Sequence, residues 1–202
     1  MLKQSGVIRK LSELLSSINV LIVDNNEKAS ELMGEILKKL GFTSLHFAQD
    51  GFQALESLKK HHMDLVITDW ELRPITREAA NLTPANSGAN DPLLPVDGGS
   101  FVKFVRMDGS SPDPYIPIIM LTGRALLNNI EYARDAGVNE ILIKPVVVDT
   151  LCRRIIMIVD DSRPFITAKK YKGPCRRRKS LPYQGEERRK LDIKIIKNNK
   201  RA

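Results

Sequence analysis

Four short apolar segments of this 202-residue chain each lead into a residue able to do chemistry. Val20 to Val23 runs into Asp24-Asn25, Leu65 to Ile67 leads to Asp69, Ile116 to Leu121 to Thr122, and Ile141 to Ile143 to Lys144. The ends therefore offer two carboxylates, a carboxamide, a hydroxyl and an ammonium. That set suits phosphoryl transfer to a carboxylate. One Asp attacks as nucleophile, oxygen ligands hold a divalent cation, and a hydroxyl and a Lys bind the phosphoryl oxygens. Each residue alone is a weak signal, because a strand-end Asp often does no more than cap a helix. The joint placement carries the inference.

The elements that must position these residues can be read from periodicity. Continuous apolar runs, with a weaker one at Leu45 to Phe47, suit strands buried on both faces. Between them Ala29, Leu32, Met33, Ile36, Leu37 and Leu40 recur at helical spacing and stop at Gly41. Ala54, Leu55 and Leu58 repeat the pattern behind Asp50, and Leu126, Ile130 and Ala133 do so before Gly137. Leu151, Ile155 and Val159 form one more such face. Five strand-helix units predict an α/β fold with a five-stranded parallel, doubly wound sheet, in which ligands bind outside the carboxyl ends of the strands. Residues 1–18 read as a short N-terminal helical segment, with Val7, Ile8, Leu11, Leu14 and Leu15 expected to pack on the body and a dimer contact as the alternative. Residues 74–96, rich in Pro, Asn, Ala, Thr and Ser, read as a long loop inserted after the third strand.

Composition narrows the class further. Apolar residues make up 42% and charged residues 28%, enough apolar material for a core, which argues against whole-chain disorder. Cys152 and Cys175 cannot form a disulfide framework, and no Cys/His cluster has metal-ligand spacing. His46, His61 and His62 read as surface residues. No apolar run is long enough for a secretory signal or a membrane span, so a cytoplasmic protein is expected. The net charge of +8 is unevenly spread. Residues 1–160 hold 17 Lys+Arg against 20 Asp+Glu, whereas residues 161–202 hold 15 against 4. A slightly acidic body carries a basic C-terminal extension, expected to be partly disordered.

Over residues 19–160 the chain resembles a response-regulator receiver domain of the chemotaxis single-domain type. The motifs are Leu21-Ile-Val-Asp-Asn25, Asp64-Leu-Val-Ile-Thr-Asp-Trp70, Asp97-Gly98, Ile118-Ile-Met-Leu-Thr-Gly123 and Lys144-Pro145. Spacing agrees: 45 residues separate Asp24 from Asp69 and 22 separate Thr122 from Lys144. The resemblance implies a flavodoxin-like form of the sheet and a phosphoacceptor at Asp69, charged by a histidine kinase or a histidine phosphotransfer protein. It implies that Thr122 moves towards the phosphoryl group, that Lys144 pairs with it, and that the Lys144-Pro145 bond is cis. It also implies Mg2+ held by Asp24, Asn25, Asp69 and the backbone carbonyl of Glu71, with the Glu71 side chain and Arg124 tuning dephosphorylation. Beyond this self-phosphorylation and its reversal, no enzyme activity is expected.

Two positions depart from the family pattern. Asn25 stands where the family usually has a second acidic residue, so one negative charge is missing from the metal site. A unit charge at ~4 Å is worth about 4 kcal/mol at an effective dielectric near 20, partly offset by lower desolvation cost. Mg2+ affinity is expected to fall roughly ten- to a hundredfold on this account. Ile141 stands where many relatives carry a switching aromatic, and its own packing in a strand is the plainer reading. In the extension, Tyr171-Lys-Gly-Pro-Cys-Arg-Arg177 and Tyr183-Gln-Gly-Glu-Glu-Arg-Arg189 repeat a Tyr-x-Gly-x-x-Arg-Arg pattern twelve residues apart. Paired arginines beside an aromatic suit acidic protein surfaces, including a downstream partner or the body's own acidic site. Nucleic acid or anionic lipid is the weaker alternative. The functional expectation is a phosphorylatable switch acting through protein contacts. The competing readings are a phosphorylation-independent scaffold and a nucleic-acid-associated regulator docking through the extension.

Overall fold

Strand β1 (Asn19–Val23) shows why the apolar runs are continuous. Val20 and Ile22 enter one hydrophobic layer and Leu21 and Val23 the other, and none is more than 2% exposed. Successive side chains of a strand point to opposite faces, so a strand covered on both sides is apolar at every position. The structure is a computed structural model that describes residues 13–73, 97–123, 126–159, 163–176 and 194–196.

β1 is joined by β2 (Ser44–Ala48), β3 (Leu65–Asp69), β4 (Ile118–Thr122) and β5 (Glu140–Ile143) in one parallel sheet of order β2-β1-β3-β4-β5. Helices α1 (Glu27–Leu40) and α5 (Val148–Val159) cover one face, where Met33, Leu37, Leu151 and Ile155 meet Val20 and Ile22. Helices α2 (Gly51–Lys60), α3 (Gly98–Met107) and α4 (Leu127–Ala136) cover the other, with Leu55, Phe101, Val105 and Ala133 against Leu21 and Val23. This is the expected doubly wound sheet. α1 and α4 end where the sequence places their stops: Gly41 and Gly137 adopt left-handed φ of 104° and 100°, and their N–H groups bond back to the last turn. Strand order reverses at β1, which opens a crevice at the carboxyl ends of β1 and β3.

Two elements escape the periodicity reading. α3 opens on Gly98-Gly99-Ser100, poor helix formers, and is started instead by a capping box. In it the Asp97 carboxylate accepts from Ser100 N at 2.6 Å and Ser100 Oγ accepts from Asp97 N at 3.0 Å. The second is in the basic extension. Residues 163–176 there are not a free tail: β6 (Phe165–Ala168) and β7 (Tyr171–Pro174) form an antiparallel hairpin, and β8 (Lys194–Ile196) pairs with β6. β6 and β7, four residues each with interspersed polar side chains, leave no run to detect.

The hairpin is held by one buried cation and one close backbone approach. Arg106 of α3 is fully buried; it donates from Nε to Gly137 O (3.0 Å), from Nη1 to Pro114 O (2.9 Å) and from Nη2 to Asn139 Oδ1 (3.1 Å). Its guanidinium lies 5.3 Å from the ring centre of Phe165, itself buried. Burial pulls the Arg106 pKa down to about 10, with the nearby Asp113 charge opposing, so it remains a cation at neutral pH. Gly173 packs on Gly137, and a Cβ at Gly173 would sit 2.8 Å from the Gly137 Cα. At the other terminus residues 13–16 are helical, Leu15 joins the α1–α5 layer and Leu14 is exposed. Val7, Ile8, Leu11, the 74–96 insertion, Arg124 and the second Tyr-x-Gly-x-x-Arg-Arg copy lie outside the described residues.

Candidate functional site

The β1–β3 register pairs Val23 with Thr68, which brings the next residues, Asp24 and Asp69, to the same edge of the sheet. Both are buried, at 5% and 7% exposure. Lys144, one residue past β5, reaches across β4 to them: its Nζ lies 3.0 Å from Asp24 Oδ2 and 3.1 Å from Asp69 Oδ1. Its backbone is set by a bond from Lys144 N to Thr122 O at 2.8 Å, and the following peptide bond to Pro145 is cis. Backbone N–H groups also hold the two carboxylates. Asp24 Oδ1 accepts from Asn26 N at 2.9 Å, and Asp69 Oδ1 accepts from Trp70 N at 2.8 Å. Asn26 in turn caps α1 through its side chain, which frees the neighbouring Asn25 from that task. Thr122 ends β4 one residue beyond Leu121, the partner of Asp69, and is buried.

One ammonium serves two carboxylates, so the cluster keeps a net negative charge. Burial pushes the Asp69 pKa above its ordinary value; Lys144 opposes this and the Asp24 charge adds to it. Burial alone would lower Lys144, but its hydrogen bonds and charge contacts with Asp24 and Asp69 outweigh that and hold the ammonium above its usual range. Among the described residues no three His, Cys, Asp or Glu side chains are grouped to hold a metal. A cation here would rest on two adjacent carboxylates plus neutral oxygens. That hard, all-oxygen donor set fits Mg2+, which keeps several waters and takes one or two carboxylates. Asn25 is half-buried beside Asp24, and Glu71 is exposed two residues past Asp69.

The sequence assigns the Asp97-Gly98 motif no task. The structure supplies one. Gly98 donates from N to Trp70 O at 2.8 Å, and a Cβ on it would fall on the carbonyl oxygen of Asp69. The start of α3 therefore seats against the Asp69 backbone only because residue 98 is glycine. Trp70 packs edge-on against Tyr132 of α4, ring centres 5.8 Å apart, and a Cβ at Gly99 would crowd both rings. Ile141 packs into the α2–α4 layer as an ordinary strand residue.

Comparison with known proteins agrees with this geometry. Residues 20–76 match the model of the response regulator receiver domain family. The chain is 29% identical over 147 residues to the chemotaxis protein CheY-3 of Vibrio cholerae, covering 73% of this chain and 95% of that protein. It is 27% identical over 143 residues to the chemotaxis protein CheY of Pseudomonas aeruginosa, covering 71% and 97%. Among solved structures it is similar to the receiver domain of a sensor histidine kinase from Pseudomonas aeruginosa, with a TM-score of 0.52, 26% identity and coverage of 69% and 94%. That structure has a magnesium ion coordinated in its active site cleft.

Proposed function

The chain carries a receiver domain of the chemotaxis type, and from that premise we propose that Asp69 is the phosphoacceptor of a two-component phosphorelay. Its donor is a histidine kinase or a histidine phosphotransfer protein, and its output is contact with a downstream protein in the cytoplasm. The observation that carries this reading is the single Lys144 ammonium bridging two buried carboxylates.

Asp69 Oδ1 is held by Trp70 N–H and Lys144, which leaves Oδ2 as the attacking oxygen. The new P–O bond forms as the P–N bond of phosphohistidine breaks, and the imidazole departs with the electron pair. Lys144 then trades its contact with Asp69 for a phosphoryl oxygen, and the Thr122 hydroxyl turns towards the same group. Asp24, Asn25, Asp69 and the Glu71 carbonyl would hold Mg2+, which when bound neutralises charge on the phosphoryl oxygens. The carboxamide at Asn25 weakens that affinity. Asp24 keeps Lys144 in place when Asp69 is modified, since its own contact to Nζ is independent.

The missing charge at Asn25 also favours a second reading, a scaffold that works without phosphorylation. Trp70, the only tryptophan, reports on the choice. Its fluorescence is followed while Mg2+ and then beryllium fluoride, a phosphoryl mimic, are titrated into wild type and Asn25→Asp. The switch reading expects a saturable response in both, with Mg2+ roughly ten- to a hundredfold tighter in Asn25→Asp. A response confined to Asn25→Asp establishes the scaffold.

A further inference from the structure

Four arginines from four separate segments converge on a cleft of about 310 Å³ beside the amino-terminal end of β5. Arg134 comes from α4, Arg154 from α5, Arg163 from the approach to β6 and Arg176 from the residues after β7. The cleft exists only because the second sheet folds back: half of its cationic wall belongs to the extension. It lies at the opposite end of β5 from Lys144, about 13 Å of strand away, so it is not part of the carboxylate site.

The arginines are already oriented. Glu140, 4% exposed, has Oε2 3.3 Å from Arg154 Nη1 and Oε1 3.8 Å from Arg163 Nη2. Asp135 Oδ1 lies 3.1 Å from both Arg134 Nε and Arg176 Nη1, and the Arg176 guanidinium stacks 4.2 Å from the Tyr171 ring centre. Among the described residues lining the cleft, four guanidiniums face one carboxylate, that of Glu140. Behind them Arg106 donates to Asn139, which also lines the cleft. The lining therefore carries a surplus of positive charge, and Arg154 and Arg163 are held on the buried Glu140 before any ligand arrives. Ile130 and Ile141 add an apolar wall. A phosphate monoester carries roughly 1.5 to 2 negative charges and three acceptor oxygens. It matches the surplus better than one carboxylate, and planar guanidiniums present paired donors to it. A volume near 300 Å³ is at the small end of ligand pockets.

We propose that this cleft binds a small molecule bearing a phosphate monoester, of about the size of a nucleoside monophosphate. The test uses the full chain with a chelator present to remove divalent ions. Inorganic phosphate and adenosine monophosphate are titrated while amide and arginine Nε signals are followed by NMR. Saturable shifts are expected at Asn139, Glu140, Ile141 and the four arginines, with adenosine monophosphate tighter than phosphate. Arg134→Gln/Arg176→Gln, which changes two exposed side chains, should weaken binding at least tenfold while leaving the remaining spectrum in place. Arg154→Gln is the second variant, expected to weaken it from the other side of the cleft. Linear, unsaturated shifts would mean an adventitious ion only. Unchanged affinity in both variants, or equally tight binding of N-acetylglutamate, would overturn the phosphate assignment.

Discussion

The two ends of the same sheet bury charge in opposite ways. At the carboxyl ends of β1 and β3, two buried carboxylates share one lysine, and the imbalance is left open. At the other end of the sheet, Arg106 is buried without a direct carboxylate bond, its donors spent on two backbone carbonyls and an amide oxygen. The first arrangement is unstable in the sense that suits chemistry: it gains from any cation that relieves the negative charge, which a phosphoryl group arriving at Asp69 would also need. The second is closed. Each of its three nitrogens has an acceptor, and Phe165 seals it. Burying a charge is costly in both places, and what differs is whether the compensation is supplied by the chain or left for something that binds.

That contrast can be broken from either side. The largest effect is expected at Asp69→Asn, which should abolish labelling by acetyl phosphate, read by intact-mass spectrometry; persistent labelling moves the acceptor elsewhere. The same variant sharpens the comparison through stability. Since burial raises the Asp69 pKa, the folded state binds the proton more readily than the unfolded chain, and stability falls as pH rises between the two values. Asp69→Asn should therefore be the more stable protein at neutral pH. The gap should close as pH falls below the unfolded-state value of roughly 3.9, as urea midpoints would show.

Arg106→Met comes next. It leaves three acceptors unsatisfied and removes the cation beneath Phe165, and about 3 kcal/mol of stability should be lost in chemical denaturation. A loss under about 1 kcal/mol would mean the guanidinium costs nearly as much to bury as it returns. Gly98→Ala should cost roughly 2 kcal/mol, because the added methyl meets backbone rather than a yielding side chain. Acetyl phosphate labelling should slow in that variant, since the Asp69 carbonyl must shift. Arg176→Gln is expected to be smallest. Its pair with Asp135 and its stacking on Tyr171 are both solvent-accessible, so less than about 1 kcal/mol should follow in the same denaturation assay.

Legibility differed between the two ends for a physical reason. The layout of the sheet was visible because strands buried on both faces must be apolar throughout, as Val20 to Val23 are. Gly41 and Gly137 marked helix ends because only glycine takes a φ near 100° without strain. Strand-end residues Asp24, Asp69, Thr122 and Lys144 could be gathered from sequence because parallel strands end on one edge. Nothing comparable announces Arg106. An arginine nine residues after Asp97 reads as a surface charge, and its burial depends on carbonyls from Pro114 and Gly137 that no local pattern links to it.

The sequence by itself determined the alternation of elements, the sheet and the set of chemical groups at its edge, because these follow from periodicity and from chain direction. Only the tertiary structure decided which groups touch. Lys144 spans two carboxylates since β4 separates it from β3 by one strand width, and Gly98 matters since α3 begins against the Asp69 carbonyl. The extension shows the same division most plainly. Its charge and its repeat were on view in the sequence, but its fold was not: residues 163–176 are held by long-range contacts with Arg106, Gly137 and Asp135, and contacts between distant residues leave no period to read.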